Sequence, residues 1–482
     1  TSGTNNQVAS VDEADIVKND GTYLYLISGG HFRILAAWPA PQTKELSKVS
    51  VEGTPRKLFL LGDRALVYSS INPIGGQSYG SSYGNYGGNG ECTYGYDCTV
   101  SGDGTSTKLT ILDVSNRAAP RVVRQIWLSG SLISGRRVDH AVHTVVASPE
   151  LSFDGLGTVP AELGWCGEER SEEAIRLAFA ALRAKNEATI RATDLSALLP
   201  TVTDSAATPA GTPQTFAACA NTYRAASADG AAFLQVISLD LTQETPLAGS
   251  MIVTRPGTVY ASPQSLFVAV RQGGLSASYG ESAEEEQTTV HRFALRQDPP
   301  GSAYAASGWL KGRVLNQFAL DEFDGHLRVA TTTGHLPGPD VHNTLTVLRQ
   351  SQGQLLPVGV LDKLAPSEDI RAVRFAGVKG YVVTFKKTDP LFVLDLGNPQ
   401  APTVKGELKI PGFSTYMHPL DETHLLTIGY DADDQGSFAW FTGVQLQLVD
   451  VSVPSQPKLL HKEVIGTRGS SSEALTDHLA FT

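Results

Sequence analysis

The chain has 482 residues, which at about 150 residues per domain allows about three domains, although one all-β domain can run well past roughly 200 residues. Lys and Arg number 38 against 49 Asp and Glu, and the net charge of −11 excludes the basic footprint that a nucleic-acid binder needs to neutralise phosphates. Charged residues are 18% and hydrophobic residues 41%, enough apolar side chain for a large core, so global disorder is excluded as well.

From the N terminus, TSGTNNQVASVDEADIVKNDG lacks the charged and apolar regions of a signal peptide, and no later stretch approaches the roughly 18 consecutive apolar residues of a membrane span. The chain reads as a mature or trimmed product with no transmembrane segment. Residues 72–105 follow a first set of strand-like runs and are dominated by Gly, Tyr and Ser, with too little aliphatic content to pack as strands. They are expected to form a long surface loop, pinned by Cys92 and Cys98. Cys166 and Cys219 flank the next irregular region. Both spacings suit disulfides, although four cysteines allow three connectivities, and the CxxC pairs or clustered His partners of a zinc site are missing. Two disulfides point outside the cytoplasm.

Internal repeats then dominate the pattern. LTILDVSNRAAP from Leu109, LFVLDLGNPQAP from Leu391 and LQLVDVSVPSQP from Leu446 each place an alternating strand before Asp113, Asp395 or Asp450, a short polar stretch and a proline. LQVISLDLTQETP from Leu234 is a weaker copy. An Asp at that point accepts the amides of the turn that follows, so this set is structural. Each proline is followed by a further strand-like run, then by a hairpin such as KLFLLGDRALVYSS or RAVRFAGVKGYVVTF, with Gly-Asp, Asp-Gly or Pro-containing pairs between β-rich runs. The repeat therefore has four strands. Seven candidates for its third strand stand in order: HFRILA, KLTILD, LQVISL, TVHRF, TLTVL, LFVLD and LQLVD. The expected fold is all-β, a β-propeller of seven or eight four-stranded antiparallel blades, which closes radially and leaves only short edges.

One interruption differs in kind. Within residues 161–222, EERSEEAIRLAFAALRAKNEATI puts Glu172 and Glu173 in a first turn and Ile175, Phe179 and Leu182 at helical spacing. A helix or helical pair is expected there, its apolar stripe packed on the propeller's own flank. At the other end, TDHLAFT looks like the first strand of one more repeat. Either N-terminal strands complete that blade or the chain is truncated.

LNQFALDEFDGHLRVATTTG, the run from SEDIRAVRF to FSTYMHPL, and the opening NQVASVDEADIVKNDGTYLYLI resemble the secreted β-propeller family of bacteria and archaea, distantly related to WD40 repeats. The similarity covers most of the chain as a single domain over 1–482 and is weakest in the Gly-Tyr loop and in residues 200–230. It implies an exported or surface-anchored propeller, periplasmic or extracellular, whose members continue past a DHxAF motif like the DHLAF here. It implies no activity and no catalytic residues.

Candidate sites come from the acids. Innermost propeller strands line a channel, and the stretches leading into them read VDEAD, ALDEFDG, PSEDI and GSSSEALTD. Asp12, Glu13, Asp15, Asp321, Glu322, Glu368, Asp369 and Glu473 thus fall at comparable points, with Arg371 beside them. Carboxylates converging on one channel mouth would hold a metal ion or a partner's Lys and Arg. Each could equally cap a local turn. Arg371 and Arg374 could clamp an anion but more cheaply pair with Glu368 and Asp369. GYDADDQG places Asp431, Asp433 and Asp434 as a weak calcium loop without the distal Glu of an EF-hand. GSSYG at Gly80 sits in a Gly-Tyr loop rather than a strand-to-helix elbow, and His140 and His143, three apart on a strand, point to opposite faces. HExxH, GxxxxGK and dinucleotide fingerprints are absent from the sequence.

The expected function is a non-catalytic exported scaffold, monomeric, that binds a protein, peptide or glycan of the envelope or surroundings. No cofactor is required, and calcium is the one candidate. The alternative is a metal-supported hydrolase or lyase at the acidic channel mouth, which requires at least three of those carboxylates near one point.

Overall fold

The computed structural model describes residues 4–481 apart from 72–99, 101, 151–152, 154, 164–169, 195, 197, 208–210, 217–218, 226–229, 273–285, 337, 339, 386–388, 411 and 435–438. Seven four-stranded antiparallel units follow one another over residues 17–50, 54–128, 131–253, 258–311, 320–364, 369–410 and 413–465. Every third strand read from the sequence is one, from His31–Ala36 in the first blade to Ala439–Asp450 in the seventh. The fourth and fifth blades also touch edge to edge through a parallel bridge between Ser307 and Gln354.

The middle strands are apolar on both faces because each blade is sandwiched between neighbours, and such strands read as continuous hydrophobic runs. Six apolar clusters join successive blades in order. Tyr25 and Phe32 meet Leu58 and Val67 between the first and second, and Tyr381 and Leu391 meet Met417 and Val449 between the sixth and seventh. The four between are built likewise. In the seventh cluster, Tyr416, Ile428 and Val444 of the last blade pack on Ala474 and Leu475 of the chain's final segment.

A second device locks the ring. Six of the seven fourth strands carry a bulge, the third blade's pairing in unbroken register, and in four of them the residue after the bulge meets the polar turn of the next blade. Ser47 Oγ donates to the carbonyl of Arg117 at 2.7 Å, and Arg124 Nη2 donates to that of Thr245 at 2.9 Å. Gly359 and Gly406 leave room for close approach: a Cβ there would lie 2.1 Å from the Pro399 oxygen and 2.3 Å from that of Pro454. The recurring Asp anchors the same turns, accepting the amides of Ser115, Gly397 and Ser452 at 2.8–2.9 Å.

The insertion departs from expectation. Glu172–Ala192 is one helix, α1, capped by Ser171, whose hydroxyl accepts the Ala174 amide at 3.2 Å. None of its residues is buried. Asn186 fixes it by exchanging two hydrogen bonds with the backbone of Gly157, just ahead of the 161–222 insertion, and among the described residues its apolar stripe is not buried against a blade. The insertion reaches the propeller through strands that the sequence reading missed. Thr201–Asp204 adds to the outer edge of the second blade and Thr222–Arg224 to that of the third, covering edges that would otherwise offer unpaired backbone groups. No helix among the described residues is long and apolar enough to cross a membrane.

Candidate functional site

The axis of the propeller is filled from the chain's two ends. Residues 5–13 thread it. Asn5 Nδ2 donates to the Tyr416 hydroxyl at 3.0 Å and to the His478 carbonyl at 2.9 Å, and Gln7 Nε2 donates to the carbonyls of Gln317 and Leu320 at 3.0 Å. Arg374 Nη2 donates to the Gln7 carbonyl at 3.2 Å while its guanidinium lies over the Phe318 ring. Asp12 and Glu13 then pair with the innermost strand of the third blade, opposite Arg137 and Arg136. One short segment thus bonds to the third, fifth, sixth and seventh blades.

Glu13 is buried at the centre of this plug. Its carboxylate accepts the Gln7 amide at 2.8 Å and Gln317 Nε2 at 3.0 Å, and sits 3.5 Å from Arg136 and 3.3 Å from His478. Burial alone would push the carboxyl up, but Arg136 and His478 hold it well below the usual range. Asp12 is shared between Lys18 at 2.8 Å and Arg137 at 2.9 Å. Asp15 accepts the Ile16 amide, and burial raises its carboxyl despite Lys18 nearby.

The other candidate acids do not join them. Asp321 and Glu322 lie close before the Asp324–Gly325 turn, at the hairpin end of their inner strand, whereas Asp369 starts its inner strand and pairs with Phe385, far from the Gly377–Val378 turn. The two pairs therefore stand at opposite ends of the channel, which corrects the single-mouth expectation. Each acid also has its own partner. Asp321 pairs with Arg328 and Glu322 with Ser262, Ser265 and Arg292. Glu368 accepts the Thr384 hydroxyl at 2.6 Å. Asp369 lies 3.1 Å from Arg371, which is held between Phe385 and Phe413; burial raises Asp369 against the pull of Arg371 and Arg313. Glu473 is exposed in the first turn of a short 3-10 helix.

At the calcium candidate, Asp431 is taken by Lys462 and by the Thr442 hydroxyl, which hold its carboxyl down against burial. Asp433 and Asp434 continue the strand His424–Asp434. Their side chains, those of the four cysteines Cys92, Cys98, Cys166 and Cys219, and the GSSYG motif lie outside the described residues. Among the described residues, no three His, Cys, Asp or Glu side chains are grouped to hold a metal ion.

Accessible polar space lies instead on the hairpin-turn face. A cleft of about 640 Å³ between the second and third blades is lined by Asp63, Arg64, Asp113, Asp139, His140 and Gln243. A neighbouring one of about 290 Å³ shares Asp139 and reaches Asn6, Asp12, Lys18 and Arg137 at the plug's rim. Here His140 faces Asp139 at 3.4 Å and Asp240 at 3.7 Å. His143 points the other way, buried against Ser238 Oγ at 2.8 Å, and burial lowers it to about 4. Sequence reasoning did not find this face, although GDR and VDH at its turns are charged pairs where a tight turn needs only Gly or Asn.

A family model described as a beta propeller domain matches residues 1–482. An uncharacterized protein of Archaeoglobus fulgidus is 39% identical over 198 residues, covering 41% of this chain and 28% of the relative. An uncharacterized protein of Methanocaldococcus jannaschii is 43% identical over 176 residues, covering 36% of this chain and 26% of the relative. The chain thus spans little more than a quarter of the length of these curated relatives. With seven four-stranded antiparallel units in succession among the described residues and a family match over its whole length, the chain belongs to the beta propeller domain family.

Proposed function

We propose that the protein is an exported, non-catalytic scaffold that binds a protein, peptide or glycan of the cell envelope or its surroundings through its hairpin-turn face. The observation that carries this reading is the division of polar groups between axis and face. The axial acids are committed to internal partners, Glu13 to Arg136 and His478 and Asp12 to Lys18 and Arg137. The clefts on the face keep charged groups open to water, with Asp63 58% and Asp139 78% exposed. Loops on a rigid frame are where recognition concentrates, and a mixed-sign, shallow surface suits a macromolecular ligand better than a small molecule, whose sites are enclosed and mostly apolar.

The test is affinity capture from a native envelope fraction with the wild-type chain and with an Arg64→Ala, Asp139→Ala, His140→Ala variant, beside fractionation of cells expressing the protein. A partner enriched by the wild type and lost by the folded variant, with the protein outside the cytoplasm, supports the reading. Capture of the same proteins by both chains, or a cytoplasmic location, sinks it.

A further inference from the structure

We propose that the faces of the first and seventh blades not covered by their neighbours form a seat for one further four-stranded β-blade. This inference concerns the ring itself and stands apart from the hairpin-turn face.

Three observations carry it. The first is the apolar character of both faces. In the first blade, Val17 pairs with Leu26 and Leu24 with Leu35, on the side opposite the Tyr25 and Phe32 that meet the second blade. In the seventh, Leu426 pairs with Leu448 and Ile428 with Leu446, opposite the Leu425 and Val449 that meet the sixth. At the six joints between blades such side chains are buried, whereas Leu24, Leu26, Leu35, Leu426, Leu446 and Leu448 remain half-exposed. Ile16 and Val17 are exposed outright, at 58% and 39%. Strands apolar on both faces are built for burial on both.

The second is the cover already present. Ala474, Leu475 and Phe481 lie against Tyr416, Ile428 and Val444, and the Phe481 ring meets Tyr416 edge-on and lies tilted against His418, both on the seventh blade's inner strand. This segment, in two short 3-10 turns, covers one end of the face and leaves Leu426 and Leu448 half-exposed.

The third names the occupant. At four joints the residue after the fourth-strand bulge receives the next blade's polar turn: Ser47 takes Arg117, Arg124 takes Thr245, Gly359 takes Pro399 and Gly406 takes Pro454. In the seventh blade the equivalent residue is His461, opposite Leu448 across the bulge, and it is exposed. A sheet that covers these leucines and brings such a turn to His461 is a blade of the same build, and the curated relatives are far longer than the segments they share with this chain.

The experiment uses thiol labelling, read peptide by peptide, at Leu26→Cys and Leu448→Cys in two chains. One is the 482-residue polypeptide. The other carries a copy of its residues 413–467 after Thr482, which supplies a blade with the required apolar faces and turn. Expected are labelling at surface rates in the first chain, protection of both thiols by roughly tenfold or more in the second, and a higher melting temperature. Changing Met417 and Leu425 of the appended copy to Asp should abolish the protection. Equal labelling in both chains, with the appended copy cut by protease, overturns the proposal. So does concentration-dependent protection in the unextended chain, which assigns the faces to a second copy.

Discussion

Glu13 Oε2 lies 3.3 Å from Nε2 of His478, so a carboxylate near one end of the sequence and an imidazole near the other meet on the propeller's axis. Both are almost fully buried. Removing the charge of Glu13 leaves Arg136 and His478 facing an amide, and breaking a buried pair from one side costs about 3–5 kcal/mol. Glu13→Gln should therefore lower stability by about that amount near neutral pH, measured by urea unfolding. The carboxyl is held below its unfolded value of 4.5, so its contribution is complete above that pH and is lost as pH falls through the lower folded value. The gap between wild type and variant should narrow below pH 4.5. A gap that is unchanged at acid pH would mean that Glu13 acts by shape rather than charge.

Arg124 and Asp204 form a second buried pair, with Nε to Oδ1 at 3.1 Å and Nη2 to Oδ2 at 2.6 Å. It ties the strand returning from the insertion to the fourth strand of the second blade, while Arg124 also holds the third blade's turn through Thr245. Asp204→Ala should cost about 3–5 kcal/mol and expose residues 201–215 to protease before the rest of the propeller unfolds. A variant that melts like the wild type with the insertion still protected would show that the strand pairing alone suffices.

The repeat was legible because its signals are local. An alternating strand, an Asp that caps a turn, and a proline recur in the second, third, sixth and seventh blades, and all seven third strands are strands in the structure. The candidate site was less legible because its register is not local. Asp321 and Asp369 follow similar-looking stretches, yet one sits near a hairpin turn and the other at the far end of its strand; only the pairing distinguishes them. Asn5 lies 411 positions from Tyr416 and 473 from His478, and Glu13 lies 304 from Gln317, and these axial partners carry no shared pattern. DHLAF resembles the start of an inner strand, but its histidine closes the axis from a 3-10 turn.

The glycines after the bulges make the ring's joints testable. At Gly406 a Cβ would sit 2.3 Å from the Pro454 oxygen and 3.0 Å from Pro457 Cδ, so Gly406→Ala forces the sixth and seventh blades apart. Overpacking of this kind costs about 1–3 kcal/mol. Ser47→Ala at the equivalent joint of the first and second blades loses only a hydrogen bond to Arg117, worth about 1 kcal/mol. Thermal unfolding of the two variants should rank them in that order. If Gly406→Ala is the milder change, the turn yields and the close approach is not a lock.

His143 supplies a pH dependence of its own. It is buried beside Ser238, and burial lowers its value to about 4 in the folded chain, against about 6.5 unfolded. Between those values the unfolded chain takes up a proton that the folded chain does not, so stability is full above the unfolded value and falls as pH drops toward the folded one. The loss amounts to about 3 kcal/mol at the acid end of that window. His143→Gln removes the titration and should flatten the stability profile there, leaving the acid limb that Glu13 controls. Identical profiles for the two proteins would mean that His143 is charged in the folded state and that a partner for the imidazolium has to be sought around Ser238.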